Sequence, residues 1–113
     1  MKKTLLTLTL VLSATLAQAD TVATVTAILD KPMGNSKVSD AYIRSNGMVE
    51  GKFDGKAYKG TWEFKDGMYC RKIAMFKLDG CQNVVAVQNK DGKLVGVEFR
   101  NPGKKKGNRY FLK

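Results

Sequence analysis

The chain has 113 residues, with 20 Lys and Arg against 10 Asp and Glu, two cysteines and no histidine. A chain this short holds one modest core, and the missing imidazole excludes Ser-His and Cys-His catalysis. Two thiolates without histidine do not complete a zinc shell, so no metal is expected and no other cofactor is called for.

Met1-Lys2-Lys3 is a charged start, Thr4 to Leu16 is uncharged and apolar, and Ala17-Gln18-Ala19 offers a small-x-small cleavage site. Residues 1–19 therefore read as a secretory signal, removed to leave a single β domain over 20–113. The apolar run falls short of the roughly 20 residues of a membrane span, and no later stretch is apolar enough, so no transmembrane segment is expected. Without Lys2 and Lys3 the counts are 18 and 10, a net charge of +8. Export to the periplasm or the medium places Cys70 and Cys81 where thiols end as a disulfide.

Thr21–Leu29 is rich in Thr, Val and Ile and reads as a strand, with a short helix as the alternative. Lys31–Ser36 reads as a loop on Pro, Gly and Asn grounds. From Ser45 onward, Asn46-Gly47, Asp54-Gly55, Asp66-Gly67, Asp79-Gly80 and Asp91-Gly92 supply hairpin-turn dipeptides at a regular spacing. Between them the pattern alternates. Tyr58, Gly60, Trp62 and Phe64 share one face, and Val85 with Val87 and Val95 with Val97 and Phe99 share others. Trp62 is placed near the core centre, and Gly60 where another backbone packs closely. At the end, Tyr110 and Leu112 or Phe111 face inward. These signals predict an all-β fold, a small antiparallel meander barrel or sandwich of six to seven strands with one disulfide.

A tight turn at Asp79-Gly80 conflicts with a Cys70–Cys81 bridge, since it pairs Cys81 with a residue near Lys77. The disulfide is preferred, which makes Arg71–Lys77 a closed loop with Arg71, Lys72, Met75 and Phe76 as contact residues.

Gly60-Thr61-Trp62, Met68-Tyr69-Cys70-Arg71 and Cys81-Gln82-Asn83-Val84 resemble a pattern in small exported proteobacterial proteins of unknown function. There a G-x-W strand precedes a Y-C-R strand and a second Cys. The likeness covers about residues 48–99 and implies a fold rather than an activity. No catalytic residues are assigned: four aspartates precede glycines in turn dipeptides, and Glu50, Glu63 and Glu98 have no pairing signal.

The basic residues carry the functional expectation. Lys104, Lys105, Lys106 and Arg109 lie within six residues in a Gly-flanked loop. Such a row suits polyanions. The expectation is a non-enzymatic exported protein binding an anionic envelope component (lipopolysaccharide, phospholipid or wall polymer), with nucleic acid disfavoured by export. The alternative is an inhibitor-like or accessory protein that engages a protein partner through the Cys70–Cys81 loop.

Overall fold

The computed structural model describes residues 20–113, and the expected signal over 1–19 lies outside them. Eight antiparallel strands close into a barrel in chain order. They are β1 (Met33–Gly34), β2 (Val38–Ile43), β3 (Met48–Phe53), β4 (Lys56–Lys65), β5 (Met68–Ile73), β6 (Leu78–Gln88), β7 (Leu94–Arg100) and β8 (Asn108–Leu112). A single 3₁₀ turn, Ala74–Phe76, joins β5 to β6.

Four of the five expected turn dipeptides are turns. Asp54-Gly55 and Asp66-Gly67 both have positive φ at the two central residues, as a type I′ hairpin turn requires. The fifth, Asp79-Gly80, lies within β6. The reversal occurs earlier, through Ala74–Phe76, with Lys77 in the left-handed region at φ 54°. Moving the turn removes the conflict with the bridge. Cys70 then stands directly opposite Cys81 in a regular hairpin, and the two form the disulfide. Arg71–Ile73 belongs to β5 rather than to a closed loop.

The strand count exceeds the expectation because the run read as a loop, Lys31–Ser36, contains β1. Met33 pairs with Ala41 on one side and Leu112 on the other, so this two-residue strand closes the barrel. Gly34 fits there because a side chain would meet the Val38 carbonyl, 2.7 Å from the position of a β-carbon.

Residues 21–29 are not a strand. A helix, α1, covers 20–28 of the described residues. Thr21, Thr24, Val25 and Ile28 are buried while Val22, Ala23, Thr26 and Ala27 are exposed. That is the stripe of an amphipathic helix, and burial of one face overrides the strand propensity of Thr, Val and Ile. Asp30, at φ 61°, and then Pro32 end the helix.

The core is built from Val25, Ile28, Met33, Val38, Ala41, Ile43, Val49, Tyr69, Ile73, Val84 and Val97. Trp62 is half-buried at its edge. Its indole Nε1 donates to the Arg44 carbonyl at 2.7 Å, a bond that draws the ring toward the β2–β3 turn. The core face of β6 also differs from the reading. Val84 pairs with Phe99 and Ala86 with Val97, so Val84 and Ala86 point inward and Val85 and Val87 outward. On β8, Tyr110 and Leu112 face in and Phe111 is exposed.

Candidate functional site

In a closed antiparallel meander, successive connections alternate between the two ends of the barrel. One end receives the β2–β3, β4–β5 and β6–β7 turns, and α1 closes it. Asp30 donates its amide to the Ile43 carbonyl at 2.9 Å. The Asp30 carboxylate accepts from the Ser45 amide at 3.1 Å. Past Gln82, β6 has left its β5 partner. The buried Thr21 hydroxyl accepts the amide of Val84 there, at 3.1 Å.

The other end is open. It collects residues 35–37, 54–56, 74–77 and 101–107. Contacts among these segments and with the adjoining strands fix the rim. Asp54 donates its amide to the Lys37 carbonyl at 2.9 Å. The Asn35 side-chain amide donates to the Arg109 carbonyl at 3.1 Å. Gln82 donates from Nε2 to Asn101 Oδ1 at 3.0 Å. Phe76 folds back so that its ring centroid lies 5.5 Å from Phe53 and 5.3 Å from Tyr58.

The four rim segments carry six lysines, Lys37, Lys56, Lys77, Lys104, Lys105 and Lys106, and one carboxylate, Asp54; all seven are exposed. Sequence reasoning singled out the Lys104–Lys106 run. It missed Lys37, Lys56 and Lys77, which are separated along the chain and converge through the topology alone.

The expected site residues divide. Lys104, Lys105 and Lys106 are exposed together on the β7–β8 loop. Arg109 is engaged: it donates to Glu98 Oε1 at 2.7 Å, and Arg100 donates to Glu98 Oε2. Glu98 is buried on the outer side of β7, where these two guanidiniums hold its carboxyl below the usual carboxylate range. The contact residues of the hairpin point in different directions. Lys72 is on the outer face, 3.8 Å from Asp79. Met75 stands out at the tip with 56 % of its surface exposed, Phe76 is half-buried, and Arg71 points into the barrel.

Behind the rim is a cavity of about 290 Å³ inside the barrel. Its aliphatic wall comes from Met33, Val38, Ala41, Ile43 and Val49, and its aromatic side from Tyr58, Tyr69, Phe99 and Tyr110. Phe53, Phe76 and Leu78 line the mouth. Gly51 makes room for Tyr58, whose hydroxyl lies 2.5 Å from where a β-carbon would sit. Burial raises the phenols: Tyr58 is pushed up to about 12, and Tyr69 and Tyr110 also rise, so all three are neutral at physiological pH. The Arg71 charge acts against that rise at Tyr69 and Tyr110, and all three side chains line the same cavity.

Glu50 pairs with Arg44 at 2.8 Å, and Glu63 is exposed on the outer face of β4. Among the described residues, no three His, Cys, Asp or Glu side chains gather into a metal-binding group, and no helix is long and apolar enough to cross a membrane. No family model, no curated protein and no solved structure matches the chain.

Proposed function

We propose that the chain is a non-enzymatic exported protein that binds an anionic envelope component, lipopolysaccharide, phospholipid or wall polymer, through the open end of its barrel. The observation that carries the reading is the gathering of six lysines against one aspartate on the four rim segments. Clustered exposed cations raise the local concentration of an anionic surface and make association salt-dependent. Export rests on the charged start, the apolar run and Ala17-Gln18-Ala19, together with the Cys70–Cys81 disulfide. Intact mass of the periplasmic or secreted protein should match a chain beginning at Asp20.

Binding to phosphatidylglycerol vesicles and to lipopolysaccharide is the direct test. Replacing Lys104, Lys105 and Lys106 together by Gln should weaken it at least about tenfold at low salt, while exposed charges of this kind contribute little to stability. The matched control replaces Lys65, Lys90 and Lys93, which lie toward the closed end. Equal losses in the two triple variants would mean that net charge, rather than the open end, drives association.

The protein-partner reading keeps one observation in its favour, the exposure of Met75 at the hairpin tip. Binding that resists high salt and falls on Met75→Ala would favour it over the charged rim.

A further inference from the structure

The cavity inside the barrel is a different feature from the lysine rim, and it carries a single charge. Arg71 is the one ionised side chain on its lining. Alternation along β5 turns Tyr69, Arg71 and Ile73 inward, while Cys70 and Lys72 face out. The guanidinium donates from Nη1 to the Gly80 carbonyl at 3.1 Å, which fixes its plane against β6. None of the ion pairs among the described residues includes Arg71. The nearby carboxylates Glu63, Asp79 and Glu98 lie on the outer face.

A half-buried guanidinium among neutral phenols and aliphatic groups is costly unless an anion meets it. Its planar fork matches a carboxylate, with two parallel hydrogen bonds available to one acid group. Across the barrel, β1 and β2 supply Met33, Val38 and Ala41 as an apolar wall. An eight-stranded barrel has an interior just wide enough to be filled by side chains or to hold one small ligand. Here a cavity of about 290 Å³ is left. At roughly 30 Å³ for each water-sized group, that accommodates about ten such groups, the size of an eight-carbon chain that ends in its acid head. Phe53 and Leu78, each more than a third exposed at the mouth, extend the apolar path outward.

We propose that the barrel interior binds a medium-chain fatty acid, its carboxylate paired with Arg71 and its alkyl chain lying along the β1–β2 wall. This site goes beyond the rim reading and does not depend on it.

Octanoate and 1-octanol differ in the charge of the head and share the chain, so they separate the two parts of the site. Titration of the purified protein, followed by nuclear magnetic resonance of the methyl groups, should give one-to-one binding of octanoate. Shifts should concentrate at Val38, Ile43 and Val49. Octanol should bind at least about tenfold more weakly, the scale of one charge-assisted hydrogen bond. Arg71→Leu should bring the two ligands within about twofold of each other by loss of octanoate affinity. The Lys104, Lys105 and Lys106 triple Gln variant should keep octanoate affinity within about twofold, which separates this site from the rim. Equal affinity of the unaltered protein for octanoate and octanol would overturn the proposal, as would octanoate binding without shifts at the interior methyls. That comparison needs no variant, so it decides the matter even if Arg71→Leu fails to fold.

Discussion

Arg109 donates from Nε to Oε1 of Glu98 at 2.7 Å, across the β7–β8 pair and on the outer side of the barrel. The last cation of the basic run is therefore already paired by its own fold, in a contact that ties β8 to β7. The free charge of this segment is carried by Lys104–Lys106, which no ion pair among the described residues engages.

This pairing makes stability depend on pH in a definite direction. The Glu98 carboxyl is lowered chiefly by the hydrogen bond from Arg100 and next by that from Arg109. A depressed folded value stabilises above the ordinary carboxylate range, and that stabilisation is lost as pH falls through the folded value. Glu98→Gln should therefore unfold at lower urea than the unaltered protein at neutral pH. The gap should close in acid, where the native side chain is protonated too. A gap that stays constant across the pH series would show that lost packing, not charge, is what the variant measures.

The disulfide joins two residues that the hairpin already places opposite one another. Its contribution acts through the unfolded chain, where it closes a short loop. Reduction should lower stability by about 2–3 kcal/mol in the loop-entropy account. Alkylation without reductant should leave both cysteines unlabelled. Ready labelling of either in folded protein would contradict the bridge.

The helical stripe separates residues that a strand reading would treat alike. Ile28 is fully buried and Val22 is 36 % exposed. Ile28→Ala should cost about 2–5 kcal/mol, as large-to-small changes in cores do. Val22→Ala should stay within about 0.5 kcal/mol. Comparable losses from both, measured by thermal unfolding, would argue against a helix packed by one face.

Two glycines test the position of the β5–β6 turn. At Gly60 a β-carbon would lie 2.2 Å from the Lys72 carbonyl, so Gly60→Ala must push β4 and β5 apart. A cost of about 1–3 kcal/mol is expected for such overpacking. At Gly80 the nearest atom is the flexible end of Arg71, 3.8 Å away, and the backbone is ordinary strand. Gly80→Ala should be nearly silent. A large loss there would indicate a turn at Asp79-Gly80.

The sequence by itself determined the elements whose signals are local. Asp54-Gly55 and Asp66-Gly67 specify their own backbone geometry, and the alternation through Tyr58, Gly60, Trp62 and Phe64 specifies which side of β4 faces in. Two cysteines and a regular turn rhythm were enough for a disulfide-linked, all-β barrel or sandwich. Tertiary structure decided what depends on a partner. Residues 20–28 became a helix because one face could be buried against the barrel, whereas intrinsic preference favoured a strand. Met33-Gly34 became a strand because β2 and β8 flank it, and two residues carry no periodicity of their own. The reversal falls at Ala74–Lys77 rather than at Asp79-Gly80 because β5 pairs with the first residues of β6, with Ile73 opposite Leu78 and Arg71 opposite Gly80. The candidate sites follow the same division. Lys104–Lys106 is legible as a run, but its convergence with Lys37, Lys56 and Lys77 is a property of which connections share a barrel end. Arg71 reads as one more surface cation beside Lys72; only closure of the barrel turns alternate residues of β5 into an enclosed space and leaves that single charge inside it.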